Sequence, residues 1–290
     1  MSAVYTLKDY KTDEKSWWCP GCGDFGVLAA LQKALVELNI APHEVAIVAG
    51  IGCSGKIGNY INSYNFHVVH GRTLPTAMGV KLANRRLTVL AVGGDGDGFA
   101  IGMSHFLHAV RRNVDITYIV MDNHVYGLTK GQNSPTSDRG AKAKAQPAGN
   151  IESPVRPLSL AVTGGCTWVG QGFSAKQAQL VDLIKDAIRH PGFSFLNTIS
   201  PCVTYNKVNT YDWYKEVLVD LDQDPTYRPD DRAEALRRLI QHDELVTGLI
   251  YREEAPTYEA LLPGFRDEPI AEQDLGIDAA AWEDLLARFR

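Results

Sequence analysis

Residues 87–98 read Leu87-Thr88-Val89-Leu90-Ala91-Val92-Gly93-Gly94-Asp95-Gly96-Asp97-Gly98, and residues 116–127 read Ile116-Thr117-Tyr118-Ile119-Val120-Met121-Asp122-Asn123-His124-Val125-Tyr126-Gly127. Each opens on a short apolar run that ends in turn-forming residues, the pattern of a strand buried on both faces. Between them Phe99, Met103, Phe106, Leu107 and Val110 recur at helical spacing. Strand, crossover helix and strand predict parallel neighbours, so Asp95 and Asn123 fall just past the carboxyl ends of adjacent strands. Doubly wound sheets bind ligands at that edge, and glycines at 94, 96 and 98 let backbone amides approach phosphate oxygens. Magnesium takes hard oxygen ligands and shares them between protein and phosphate. Asp95 and Asn123, twenty-eight positions apart, suit a divalent cation held on a diphosphate. A Gly-Asp-Gly turn alone is commonplace; the ordered strand, turn, helix, strand and Asp122-Asn123 make the pattern specific.

Further strands read at 45–48 and 193–199 extend the expectation to an α/β fold with a doubly wound, mostly parallel sheet. Cysteines follow these strands. Cys53 lies in Gly50-Ile51-Gly52-Cys53-Ser54-Gly55-Lys56, Cys202 in Ser200-Pro201-Cys202, and an early turn, Trp17-Trp18-Cys19-Pro20-Gly21-Cys22-Gly23, brings two more. The Cys-x-x-Cys turn admits a redox dithiol or half of a zinc site. Four thiolates from one turn and two strand-end loops also suit a four-iron cluster, in which each iron takes one cysteine. Spacing alone does not separate iron from zinc. A cofactor that releases electrons at the diphosphate motif favours iron, because it gives a nearby electron acceptor a use.

The motifs together resemble the beta subunit of 2-oxoacid:ferredoxin oxidoreductases over about residues 15–250. The resemblance rests on Trp18-Cys19-Pro20-Gly21-Cys22-Gly23, Gly52-Cys53-Ser54-Gly55-Lys56, His70-Gly71-Arg72, residues 94–97, Tyr126-Gly127-Leu128-Thr129-Lys130-Gly131-Gln132 and Ser200-Pro201-Cys202, all in one order. It implies thiamine diphosphate, with Asp95, Asn123 and the main-chain carbonyl of Val125 on Mg2+. Ile51, Gly52, Cys53, Ser54, His70, Gly94, Gly96, Asp97, Gly127 and Leu128 are then the residues expected against the cofactor. It assigns Cys19, Cys22, Cys53 and Cys202 to a single [4Fe-4S] cluster. Cys166, in Thr163-Gly164-Gly165-Cys166-Thr167-Trp168, has no counterpart there and reads as a small buried residue.

The reaction so implied is coenzyme A-dependent oxidative decarboxylation of a 2-oxo acid, or its reductive reverse, with electrons passing singly through the cluster to ferredoxin. Lys56 and His70 are implied neighbours of cofactor or substrate. Lys130 directly follows the cofactor loop, where an ammonium could meet the distal carboxylate of 2-oxoglutarate; pyruvate-using relatives look like glycine at this place. Too little chain precedes Gly94 for a separate pyrimidine-binding domain. The resemblance places that domain on an alpha subunit, in a dimer of alpha–beta units. Pyruvate as substrate, a non-redox thiamine-dependent decarboxylase or synthase subunit, and a zinc-stabilised scaffold are the other readings.

With 290 residues, 45% of them hydrophobic, the chain can bury one large core. We expect a thiamine diphosphate- and iron–sulfur-binding domain over 1–204 and a partly helical C-terminal extension over 205–290 that covers a partner or the cluster. An amphipathic helix is expected over 230–240 and a further helix over 279–289, and residues 133–157, with four prolines and no periodicity, are expected as a long active-site loop. A net charge of −5 gives no basic field for nucleic acid. No run of eighteen apolar residues predicts a membrane span. Five cysteines behind a polar first stretch argue against a secreted disulfide framework, so the expected location is cytoplasmic.

Overall fold

The computed structural model describes residues 4–264, 268–274, 276 and 278–289. Its centre is a sheet of eight strands in the order β2-β1-β3-β4-β8-β7-β10-β9. These are β1 Val45–Ala49, β2 Tyr64–His67, β3 Thr88–Gly94, β4 Thr117–Asp122, β7 Trp168–Phe173, β8 Ser194–Ile199, β9 Val219–Asp220 and β10 Val246–Arg252. The short strands β5 Val125–Tyr126 and β6 Gln132–Asn133 form a separate hairpin. All pairings in the large sheet are parallel except β7 with β10. The mostly parallel, doubly wound architecture expected from the sequence is the one found.

Continuous apolar runs are needed because helices cover both faces. Alternate residues of β1 divide between two cores: Ala46 and Val48 pack with residues of helices Thr73–Ala83, Met103–Arg112, Pro157–Gly164 and Arg232–Gln241. Val45, Ile47 and Ala49 pack with helices Asp24–Glu37 and Gln177–Arg189. The chain leaves β1 toward β2 on one side and resumes at β3 on the other. That reversal opens a crevice at the carboxyl ends of β1 and β3, the ligand position of open α/β sheets.

The helix after β3 differs from its expectation. Residues Asp97–Ile101 wind a wide π turn before the α-helix Met103–Arg112 begins. The turn closes on Gly102, whose N–H donates to Asp97 O (3.2 Å). A Cβ at Gly102 would lie 2.6 Å from that oxygen, so only glycine fits. The stretch beyond residue 204 extends the sheet by β9 and β10, and Leu221, Ala235, Leu239, Val246 and Ile250 join the main core. Helix Arg232–Gln241 starts where the Asp231 side chain accepts from Ala233 N and Glu234 N. Helix Ala279–Ala287 buries no side chain among the described residues. Residues 265–267, 275, 277 and 290 of the expected C-terminal extension lie outside the described residues. No helix among the described residues is long and apolar enough to cross a membrane.

Candidate active site

A pocket of about 470 Å³ opens at the crevice between β1 and β3. Its walls come from the loop after β1, the glycine turn after β3 and residues 123 and 125–129 after β4, with His70 closing one side. All ten residues expected against a cofactor line it, together with Asp95, Asn123 and Val125; Tyr126 and Thr129 complete the lining.

Asp97 is the fastener of this pocket. Its Oδ1 accepts from Ile51 N (3.0 Å) and Gly71 N (2.9 Å), and its Oδ2 from Thr73 Oγ1 (3.0 Å). Three separate segments are thus tied to one buried carboxylate, which comes so close to Gly50 that a Cβ there would lie 2.2 Å from Asp97 Oδ2. Gly96 meets a similar constraint from Tyr126, whose hydroxyl donates to Gly96 O (3.2 Å). A Cβ on Gly96 would sit 2.1 Å from the Tyr126 ring. Gly96→Ala is therefore expected to displace Tyr126 at a cost of about 1–3 kcal/mol. It should also weaken cofactor retention. Thermal melting with and without thiamine diphosphate checks this, and two unchanged curves would contradict it.

Asp95 lies at the pocket floor, 2% exposed. Thr136 Oγ1 is 2.7 Å from Asp95 Oδ2 and 2.9 Å from Asp122 Oδ1. A hydroxyl owns one proton, so it serves only one of these carboxylates at a time. Burial, and after it the neighbouring Asp122 charge, raises Asp95 well above the usual carboxylate range. Such a pair needs a proton or a cation to neutralise it, and this donor chemistry fits Mg2+. Beside it the chain turns sharply at His124, which takes a left-handed φ of 60°. The turn is fixed by Val125 N donating to Asn123 Oδ1 (2.9 Å) and Asn206 Nδ2 donating to Asn123 O (3.1 Å). Asn123 and Val125 are thereby held on the same wall as Asp95.

The four strand-end and turn cysteines are all free thiols and come from three loops that are locked together. Gly23 N donates to Pro201 O (3.1 Å), and Ser200 Oγ donates to Asp24 Oδ1 (2.6 Å), joining the early turn to the Cys202 loop. Trp18 Nε1 donates to Cys53 O (2.7 Å), joining it to the Cys53 loop. Cys53 Sγ and Cys202 Sγ lie 3.5 and 3.7 Å from where a Gly127 Cβ would be. Burial, then the Asp24 carboxylate, pushes the Cys53 thiol up to about 12, with Cys202 and Cys19 adding to it and Lys56 opposing. Burial likewise raises Cys22, within electrostatic reach of Cys53 and Cys202. Thiols so disfavoured as free anions, gathered on one space, are suited to a cationic iron centre that stabilises the thiolate. Among the described residues no three His, Cys, Asp or Glu side chains converge on a single ion.

Cys166 lies elsewhere, wholly buried, with Sγ donating toward Trp168 O (3.2 Å). His70 faces the pocket with Nδ1 unpartnered, 3.9 Å from Asp97 Oδ1. Lys56 stands beside Cys53 outside the pocket lining, and Lys130 lies exposed at the tip of the β5–β6 hairpin, also outside it. Two participants carry no sequence signal of their role. Thr136 comes from the stretch 133–157, expected to be an active-site loop, and Trp18 stands in the sequence only as a neighbour of Cys19. Nothing local marks Thr136, because its partners are 14 and 41 residues away.

The chain matches two family models. One is "Thiamine pyrophosphate enzyme, C-terminal TPP binding domain", over residues 50–198, and the other is the C-terminal model of the pyruvate ferredoxin oxidoreductase beta chain, over residues 202–267. It is 47% identical over 223 residues to subunit beta of 2-oxoacid:ferredoxin oxidoreductase 1 from Aeropyrum pernix, spanning 77% of this chain and 70% of that one. It is 43% identical over 271 residues to the corresponding subunit from Saccharolobus solfataricus, spanning 88% and 89%. A solved 2-oxoglutarate:ferredoxin oxidoreductase from Magnetococcus marinus, with 2-oxoglutarate, coenzyme A and succinyl-CoA bound, superposes with a TM-score of 0.90 at 38% identity. The match covers 99% of this chain and 96% of that one.

Proposed function

The chain belongs to the beta subunits of the 2-oxoacid:ferredoxin oxidoreductases, and from that premise we propose that its substrate is 2-oxoglutarate, converted with coenzyme A to succinyl-CoA. As a beta subunit it acts with an alpha partner, and its thiamine pyrophosphate domain is the cofactor-binding half of the site. The observation that carries the reading is that Gly127 and Cys53 both line the cofactor pocket, while the Cys53 and Cys202 thiols lie 3.5 and 3.7 Å from where a Gly127 Cβ would be.

Bound there, thiamine diphosphate supplies the nucleophilic carbon and electron sink for decarboxylating a 2-oxo acid, and a [4Fe-4S] cluster supplies single-electron steps toward ferredoxin. This chain's own groups do the positioning. Asp95, Asn123 and the Val125 carbonyl would hold Mg2+, Gly94 and Gly96 leave room for phosphate oxygens, and Asp97 keeps the Ile51 and Gly71 loops closed on the pocket. Cys19, Cys22, Cys53 and Cys202 would hold the cluster. Ile51 and Leu128 at the lip, and Val69 and Ile101 beside the His70 loop, are exposed apolar residues that suit burial under the alpha subunit. Anaerobic co-expression with that subunit tests the reading: bound thiamine, iron and 2-oxoglutarate-dependent reduction of a viologen dye are expected. Zinc in place of iron, or preferential use of pyruvate, would overturn it.

Lys130 is the residue proposed to select the substrate. Its φ of 77° is a left-handed conformation that glycine adopts more easily. Keeping an ammonium there against backbone preference suits a functional side chain. Lys130→Gly should stabilise the subunit slightly, by up to about 1 kcal/mol. The same change should lower the 2-oxoglutarate-to-pyruvate ratio of kcat/KM roughly ten- to a hundredfold, the value of a charge-assisted hydrogen bond. An unchanged ratio would move selection to the alpha subunit.

A further inference from the structure

The chain carries a net charge of −5, yet residues 128–150 hold Lys130, Arg139, Lys142 and Lys144 against a single acid, Asp138. The fold brings this basic segment against the loop that follows Cys202. Arg139, Lys142 and Lys207 line an open groove of about 1250 Å³ together with Tyr205 and Val208. Asp138 accepts from Asn209 Nδ2 (3.1 Å) and Arg139 donates to Ser153 Oγ (2.6 Å), and among the described residues neither forms an ion pair. Lys207 Nζ donates to the Val203 carbonyl, which holds its charge over the turn that carries Cys202. That turn is short: Asn206 N donates to Cys202 O (3.1 Å). Tyr205 packs against Gly131, 3.0 Å from where its Cβ would be.

We propose that this groove is the landing surface for a small acidic iron–sulfur electron carrier, with Lys142, Lys144 and Lys207 as its charged rim and Tyr205 and Val208 as its apolar centre. The proposal rests on the function proposed above and adds the place where electrons leave. Tyr205 and Val208 are 41% and 64% exposed, giving the small apolar patch within a charged rim that transient protein contacts use. Rim charges steer an oppositely charged partner and are screened by salt. The cofactor pocket and the groove have only Val125 in common among their lining residues, so a carrier on the groove leaves the other walls of the pocket uncovered. Tyr205, Asn206 and Lys207 in the groove wall belong to the turn that follows Cys202, which puts a carrier seated there close to a proposed cluster ligand. Coenzyme A phosphates are the competing anions.

The test uses the alpha–beta holoenzyme and a small acidic two-cluster ferredoxin as probe, with binding measured by calorimetry. Lys142→Glu combined with Lys144→Glu, and Lys207→Glu separately, should raise the ferredoxin Kd at least about tenfold at low ionic strength. The difference should shrink in about 0.5 M salt. Iron content, 2-oxoglutarate-dependent viologen reduction and the KM for coenzyme A should stay as in the parent enzyme. A neutral Lys142→Gln, Lys144→Gln pair should fall between. An unchanged ferredoxin Kd overturns the proposal, and so does a raised KM for coenzyme A with ferredoxin binding intact, which would make the groove a coenzyme subsite. The binding assay needs no turnover, so absence of dye reduction in the parent enzyme would refute the 2-oxo acid reading without deciding the docking surface.

Discussion

Asp95→Asn is expected to abolish cofactor-dependent stabilisation while making the cofactor-free subunit more stable. The two effects have one cause. Asp95 and Asp122 share the Thr136 hydroxyl, and burial, then the Asp122 charge, raises Asp95 well above the usual carboxylate range. An isosteric amide keeps a partner for Thr136 but removes the repulsion, worth about 1 kcal/mol and a rise in melting temperature of roughly 2–4 °C. With thiamine diphosphate and Mg2+ the sign reverses, because the amide lacks the charge that balances the cation beside the diphosphate. Losing one partner of a buried ion pair costs about 3–5 kcal/mol, or at least roughly a hundredfold in affinity. The parent protein should gain about 2.7 kcal/mol at a cofactor concentration a hundred times its Kd, and the variant almost nothing. Calorimetric melting of both proteins, with and without the cofactor, is the measurement. An undiminished cofactor shift in the variant would remove Asp95 from the cation site.

The strands that carry this site were legible because they are buried on both sides. Residues 45–48 are an unbroken apolar run, 87–92 and 116–121 are each broken only by a threonine, and 193–199 keeps Phe193, Phe195, Leu196 and Ile199; β1, β3, β4 and β8 occupy nearly those spans. The remaining strands lack that signal for physical reasons. All four residues of β2 are exposed at the sheet edge, so no apolar run marks it. In β7, Gly170 and Gly172 interrupt the pattern because the Trp168 ring and Leu180 pack where their side chains would be. In β10, Gly248 takes a left-handed φ of 112° close to Asp222, and the pairing with β7 shifts register just beyond it.

The pocket residues were legible for a related reason, since ligand groups at strand ends stand in short sequence motifs. Their supports were not. Asp97 is bonded to Ile51, Gly71 and Thr73, which are 46, 26 and 24 residues away, and its role as a fastener exists only once the loops meet. The stretch 133–157 shows no periodicity because its order comes from side-chain hydrogen bonds. Asn150 Nδ2 donates to Ser137 O (3.1 Å), Ser137 Oγ donates to His124 O (2.5 Å), and Thr136 reaches the carboxylates.

Replacing Cys53 or Cys202 by alanine should lower iron content and the broad visible absorbance at least roughly tenfold, because each cysteine is proposed as the only protein ligand of one iron. Cys19→Ala and Cys22→Ala should act in the same direction. Cys166→Ala should leave iron untouched and cost only about 1 kcal/mol of stability, as a buried thiol packed between Trp168 and Phe193 carbonyls. The contrast matters because all five are free thiols and both Cys53 and Cys166 are raised to about 12, mainly by burial. Desolvation alone therefore does not distinguish a ligand from a core residue. Placement does: Cys53 and Cys202 flank Gly127, Cys19 and Cys22 come with a turn tied to both their loops, and Cys166 has only core neighbours. Metal analysis and absorbance of anaerobically purified alpha–beta variants decide it. Iron lost from Cys166→Ala, or retained in full by Cys53→Ala, would show that the cluster is held by a different set of sulfurs.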